Sequence, residues 1–229
     1  MMDFYRPPAT CQIARLGEFY EATFGQRTDG TFVEVGAFDG DTYSNTSCLA
    51  DLGWRGVYVE PVPKWAEICR ARHRNNPRVS VVQSAIGATP GRQLIEVAHS
   101  FSSLRDDVIE RSKAMFRNLR EDEVLVPFEE VFAGETVEVG VLRLETVLAA
   151  HRIAPGFEVL VVDVEGYEVE VFDSFDLKAW RPTLVIAELM DRNPRPADAG
   201  LAGLRAHILQ CGYAHLHVDE VNTVFERVD

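Results

Sequence analysis

The chain is poor in the features that mark a membrane protein, a secreted protein or a nucleic-acid binder. No apolar run approaches the roughly 20 residues that cross a bilayer as a helix. The opening Met1-Met-Asp-Phe-Tyr-Arg-Pro-Pro8 lacks a secretory pattern. Cysteine is scarce, and Cys11, Cys48, Cys69 and Cys211 form no C-x-x-C pair. That argues against a disulfide framework and suits reduced thiols in the cytoplasm. Positive charge is short as well: 23 Lys and Arg stand against 36 Asp and Glu, a net charge of −13. A phosphate backbone needs a basic face, so nucleic acid is not an expected partner, nor is an anionic membrane surface. There is no internal repeat and no low-complexity tract, and 229 residues suffice for one domain with a full core.

What the chain does have is concentrated near its amino end. Thr31-Phe-Val-Glu-Val-Gly-Ala-Phe-Asp-Gly40 reads as a buried strand turning sharply toward a helix at Asp41. Glycines there let backbone pass close to a ligand, and a helix start offers unpaired N–H groups. A second apolar run, Val57-Tyr-Val-Glu60-Pro61, ends in an acid twenty residues after Gly40. Such a layout suits a nucleoside-bearing cofactor, with the turn beneath the ligand and the carboxylate on the ribose hydroxyls.

A dinucleotide fingerprint is incomplete, because Gly36 is followed by Ala37, Phe38, Asp39 and Gly40. The spacing Glu34-x-Gly36-x-Phe38-x-Gly40 instead resembles the first motif of class I S-adenosylmethionine (SAM) methyltransferases, with Phe38 at the middle glycine. Glu34 or Asp39 beside the loop suits a cationic ligand and would repel a pyrophosphate. Two alternatives stay open. One is an NAD(P)-dependent oxidoreductase with a degenerate loop, which would lack a Tyr-x-x-x-Lys pair. The other is a non-catalytic nucleoside-binding module.

Helical spacing over 11–24 gives an N-terminal helical extension (1–28). Strands are expected at 31–35, 57–59 and 79–82, with helices over 41–52 and 64–74; this alternation predicts parallel strands with right-handed crossovers. Residues 92–143 break the rhythm with strands at 93–98 and 137–142, a charged helix over 106–120 and an acidic loop over 121–135. They read as an insertion over the cleft that caps the substrate, or as an ordinary surface excursion. The rhythm resumes with a helix over 144–151, a strand over 159–163, a helix through Phe175, a strand over 183–187 and a helix over 198–211. The segments 213–218 and 223–228 make a hairpin candidate.

Several segments together resemble the FkbM family of SAM-dependent methyltransferases. They are Phe32-Val-Glu-Val-Gly-Ala-Phe-Asp-Gly-Asp-Thr-Tyr-Ser-Asn-Thr46, Leu52-Gly-Trp-Arg-Gly-Val-Tyr-Val-Glu-Pro61, Val162-Asp-Val-Glu-Gly-Tyr-Glu168 and Leu184-Val-Ile-Ala-Glu188. The resemblance implies an α/β, Rossmann-like class I methyltransferase fold: a mostly parallel seven-stranded sheet with an antiparallel C-terminal hairpin. It implies SAM as cofactor and methylation of a hydroxyl oxygen, often of a sugar or natural product. By position, Glu34, Gly36 and Gly40 would line the methionine half of SAM, with Phe38 between them. Glu60, followed by Pro61, would hold the ribose. Ser84, Ala85 and Ile86 would flank the adenine, Ser84 holding an amide edge. Ser44 and Asn45, expected one turn into a helix, would reach the ligand carboxylate or support the turn.

Methyl transfer is an in-line displacement, so the enzyme mainly aligns the nucleophile and removes its proton. An alcohol needs a base, or a cation that lowers its pKa. Asp163 and Glu188 are expected to end adjacent strands beside the cofactor crevice, with Glu165 near them. Converging carboxylates could hold Mg²⁺ or Mn²⁺, as the strand-end acidic pairs of metal-dependent O-methyltransferases do, a likeness at the level of the fold. Asp163, Glu165 and His99 are the candidate catalytic residues, Asp163 is also a candidate cofactor contact, and Asp163 and Glu188 are the candidate metal ligands. Glu168 and Glu170 read as helix starters. His215 and His217 share a strand face without further support. The basic residues of 105–120 are expected to face solvent. The acceptor, a small molecule or oligosaccharide hydroxyl, would be selected within 92–135. A homodimer suits so small an enzyme, although no pattern demands one.

Overall fold

The computed structural model describes residues 4–118, 126–192 and 199–228. Its frame is a seven-stranded sheet built from β1 (Thr31–Val35), β2 (Arg55–Val59), β3 (Val79–Val82), β7 (Val159–Val162), β8 (Leu184–Glu188), β9 (Tyr213–Val218) and β10 (Asn222–Arg227). Their order across the sheet is β3-β2-β1-β7-β8-β10-β9. The first five run parallel, and β10 is antiparallel to both β8 and β9. This is the α/β fold expected, reversed hairpin included. Uninterrupted apolar stretches such as Val159–Val162 explain the parallel core: such strands are covered on both faces.

Two apolar layers flank the sheet. On one face Val33, Val35, Leu160, Val162, Val185 and Ala187 pack against α6 (Leu144–Ala150), α7 (Glu168–Phe172) and α9 (Ala199–Gln210). On the other, Phe32, Val159, Val161, Leu184, Ile186 and Val224 meet Tyr5, Ile13, Leu16, Tyr20, Leu49 and Trp54. Tyr5, Tyr20 and Trp54 are fully buried there. The segment before β1 is therefore a cover for half the sheet, each such side chain contributing about 1.5–3 kcal/mol of burial. Its helix, α1 (Leu16–Phe24), starts later than the apolar spacing suggested, because Arg15 at φ 65° is incompatible with a continuing helix.

Residues 92–143 contribute a second sheet. β5 (Gly91–Glu96) pairs antiparallel with β6 (Thr136–Leu142), which pairs parallel with the short β4 (Ala85–Ile86). The two long strands were expected; their joining to Ala85–Ile86 was not, since two residues carry no periodicity. α4 (Asp106–Arg117) and α5 (Phe128–Val131) enclose Phe101, Phe116 and Phe132 in a separate aromatic cluster. α5 and α8 (Leu177–Trp180) are single turns below the reach of sequence periodicity. The expected ends of two helices, at Arg120 and Asp198, and the start of the acidic loop lie outside the described residues.

Two further helices pack beside the turn after β1. α3 (Pro63–Arg72) opens on a proline at its first position, where the missing N–H is harmless. α2 spans only Ser47–Asp51, a correction to the helix expected over 41–52. Gly40 and Tyr43 take positive φ (77° and 61°), and Glu34 draws the Ser44–Thr46 stretch inward, so residues 37–46 form turns instead.

Candidate active site

The turn after β1 is set by contact with the turn after β7. Gly36 has φ 88°, and a Cβ placed on it would lie 1.6 Å from the Asp163 carbonyl oxygen. Only glycine fits. Gly40, also at positive φ, is excluded from bearing a side chain by Cys69 and His73 of the α3 side. It packs behind the turn and is not among the residues lining the two cavities described below. Phe38 holds the middle position at φ 50°, a conformation costing about 1–2 kcal/mol for a side chain. Its N–H donates to Glu60 Oε2 at 2.9 Å, and its ring packs on Trp65 and His99 at 4.4 and 4.8 Å. These contacts hold the strained backbone in place.

Glu34 is buried beneath this turn. It accepts from Ser44 Oγ (2.9 Å), the Asn45 N–H (3.1 Å) and Thr46 Oγ1 (2.5 Å). Burial raises its pKa to about 7 against those bonds. Ser44 caps the following turn by accepting from the N–H groups of Thr46 and Ser47. Asn45 faces inward, its Oδ1 near the Cys11 thiol, and lines neither cavity. Of the Ser44–Asn45 pair, then, only Ser44 reaches a cavity wall.

Two cavities meet at this turn. The first encloses about 570 Å³ counting its open mouth, within the range of small-molecule sites. Its floor is Glu60, Pro61, Ser84, Ala85 and Ile86, and its roof includes Ile95, His99 and Leu104 from the 92–143 excursion. Both Glu60 oxygens take a backbone N–H, from Phe38 and from Val62 at 2.8 Å, leaving each a lone pair. Burial pushes its pKa up to about 8. Ser84 does not offer its hydroxyl to the cavity as expected: the Oγ donates toward the Ala85 and Gly140 carbonyls, tying β4 to β6.

The second cavity is more polar, with Gln12, Thr42, Tyr43 and Ser44 on one side and Phe101 on the other. Gly36, Phe38, Ser100, Asp163 and Glu165 line both. Among the described residues eight non-glycine residues have positive φ, and Phe38, Tyr43, His99 and Glu165 of these line the cavities. Strain of this kind gathers where function requires it.

Asp163 and Glu165 at the junction, with Glu188 beside them outside the cavity walls, each bring a carboxylate oxygen within 4.8 Å of the other two. All three have raised pKa values, from burial first; for Glu165 and Glu188 the neighbouring carboxylates add to it. The Asp163–Glu188 contact favours the charged form of Asp163 and the neutral form of Glu188. Glu168, also buried, accepts from the Val164 and Gly166 N–H groups and shapes the loop, with a pKa raised by burial to about 7. Ser103 Oγ and Arg105 donate to the Glu165 and Gly166 carbonyls, binding the excursion to this loop. His99 lines the first cavity only, wedged against Phe38 and Trp65, with its pKa lowered by burial. His73 is structural, its Nε2 within 2.8 Å of the Gly40 carbonyl.

Residues 34–214, well over half the chain, match the family model of the methyltransferase FkbM domain. The chain belongs to the FkbM methyltransferase family. It is thus a SAM-dependent methyltransferase, and the oxidoreductase alternative gives way. Solved structures of similar shape include an O-methyltransferase from Bacillus cereus with bound SAH (17% identity, 96% of this chain, 84% of that chain, TM-score 0.47). Another is TomG of Streptomyces achromogenes, an O-methyltransferase of tomaymycin synthesis (16% identity, 97% and 83% covered, TM-score 0.49). Aeropyrum pernix fibrillarin with bound SAM is a third (10% identity, 99% and 76% covered, TM-score 0.46). Compared with curated proteins, the sequence finds no significant match.

Gln12, Thr42, Tyr43, Ser100, Phe101 and Tyr167 line the cavities without having been singled out from sequence. Gln12 lies outside the family match, Thr42, Tyr43 and Tyr167 fall within the quoted motif segments without a role of their own, and Ser100 and Phe101 carry no motif. Among the described residues no helix is long and apolar enough to cross a membrane.

Proposed function

We propose that this FkbM methyltransferase transfers the methyl group of SAM to a hydroxyl of a sugar, glycoside or similar polar metabolite. The observation that carries the reading is the meeting of an acid-floored cavity with a polar one at Gly36, Asp163 and Glu165. SAM fits the first: Glu60 has lone pairs for the ribose hydroxyls, Ile86 gives apolar cover for a base, and Gly36 admits a close backbone approach. Glu34 and Ser44 then belong to the methionine half. The acceptor enters the second cavity beneath the 92–143 excursion.

In the reaction the acceptor oxygen attacks the sulfonium methyl carbon, the C–S bond breaks to give the demethylated cofactor, and the hydroxyl proton passes to a carboxylate. Asp163 and Glu165 are better placed than His99 to take it, since both line the junction of the two cavities whereas His99 lines the first alone. An all-oxygen donor set suits Mg²⁺ or Mn²⁺, which Asp163 and Glu188 would hold with Glu165 beside them. When bound, such a cation lowers the pKa of a coordinated hydroxyl.

The test is transfer of labelled methyl from SAM to a panel of glycosides and polyols, with and without EDTA. Label in an alkali-stable ether supports the reading. Transfer only to amines or thiols would refute it, and turnover undiminished by EDTA would remove the metal.

A further inference from the structure

Three side chains stand in a row at the carboxyl edge of the sheet. Val162 pairs with Ala187, so the residues that follow, Asp163 and Glu188, come abreast at the ends of β7 and β8. Glu188 in turn pairs directly with Asn222 at the start of β10. Alternation along the strands puts all three on one face. Val161, Ile186 and Val224, each two residues away from one of them, share a single core layer. Neighbouring strands lie about 4.8 Å apart, so the three side chains are contiguous. Glu165 joins them from the loop, its carboxylate within 4.8 Å of those of Asp163 and Glu188.

Asn222 is the independent observation. It is only 2% exposed, and its Oδ1 is buried with no hydrogen-bond partner. Its Nδ2 donates to Gln12 Oε1 at 3.3 Å, which commits the amide nitrogen and leaves Oδ1 as the free end of a side chain on the same face as Glu188, its direct cross-strand partner. A buried amide oxygen without a donor is rare in folded proteins and asks for a partner. The groups abreast of it are acids, and a cation satisfies the whole row.

We propose that Asn222 Oδ1 is an oxygen ligand of a divalent-cation site shared with Asp163, Glu165 and Glu188, and that Gln12 orients its amide. Carboxylates with an amide carbonyl form a hard oxygen set, suited to Mg²⁺ or Mn²⁺. Gln12 and Asn222 both lie outside the matched residues 34–214, so this ligand and its support belong to the flanking segments of the chain. The proposal rests on the metal-assisted reading above and extends it to residues that reading did not use.

The experiment titrates Mn²⁺ alone into the full-length protein, following free Mn²⁺ by electron paramagnetic resonance, with SAH binding measured separately by calorimetry. Wild type binds one Mn²⁺, Glu188→Gln abolishes binding, and Asn222→Ala weakens it about tenfold or more, with Gln12→Ala weakening it less. SAH affinity is unchanged in the Asn222 variants. Asn222→Asp, which adds a charged ligand, binds Mn²⁺ more tightly, and it decides the matter if Asn222→Ala fails to fold. Absence of Mn²⁺ binding to wild type, wild-type affinity in folded Asn222→Ala, or unimproved binding by Asn222→Asp overturns the proposal. Retained SAH binding without Mn²⁺ binding overturns this proposal and leaves methyl transfer standing. Mn²⁺ binding without SAH binding does the reverse.

Discussion

Replacing Glu60 by glutamine should flatten the pH dependence of stability. Glu60 is 5% exposed, and burial lifts its pKa to about 8 from 4.5. Between those values the folded state keeps a proton that the unfolded state has lost, so ΔG of unfolding falls as pH rises through this window and levels off outside it. At pH 7 the unfolded carboxyl has passed its pKa by 2.5 units while the folded one has not, which amounts to about 3 kcal/mol relative to acid conditions. Glutamine has no proton to exchange. It offers one carbonyl to the two N–H groups of Phe38 and Val62, so it also adds a pH-independent loss of about 1–3 kcal/mol. Urea unfolding of the ligand-free protein from pH 5 to pH 8 gives both quantities. Wild type should lose about 3 kcal/mol more than Glu60→Gln across that range, as an order of magnitude. Parallel curves would show that Glu60 is not held protonated by its surroundings. The cofactor provides a second check: ribose hydroxyls favour the carboxylate form, so SAH binding at pH 7 should release a proton, seen as a buffer-dependent calorimetric heat that Glu60→Gln lacks.

Gly36→Ala should abolish cofactor binding and depress the melting temperature sharply, because the new Cβ would sit 1.6 Å from the Asp163 carbonyl oxygen; a normally stable variant that binds SAH would contradict the turn geometry. Asp163→Asn should leave SAH affinity within a few-fold and lower methyl transfer by about 10²–10⁴ if that carboxylate takes the proton; a variant at full rate would assign the base elsewhere. Tyr5→Ala should destabilise by about 3–5 kcal/mol, because the ring is fully buried against Tyr20 and Trp54. Denaturant melts showing a change below 1 kcal/mol would mean that the N-terminal cover is an appendage.

The strands and their parallel order were readable because buried strands announce themselves: Thr31–Val35 and Val79–Val82 emerged with the observed boundaries. Local spacing also brought out Gly36, Glu60 and Asp163. Helix bounds were less accessible. The turns of 37–46 replace an expected helix because a buried Glu34, from another element, takes the hydrogen-bonding groups of Ser44, Asn45 and Thr46. Ser84 Oγ, expected at an amide edge, turns to the Ala85 and Gly140 carbonyls, and Asn45, open between ligand contact and turn support, gives its N–H to Glu34 and lines neither cavity.

Motif spacing and the family resemblance it carries were enough for the fold family and the nucleoside-type cofactor, and apolar runs for the acids at the strand ends, since each depends on residues near one another along the chain. Which groups meet across the cleft was left to packing. Gln12 beside Asn222, Gly36 against Asp163 and the 92–143 excursion above Glu165 join segments far apart in sequence. Such contacts arise from sheet register and from the burial of Tyr5, Tyr20 and Trp54, which no local pattern encodes.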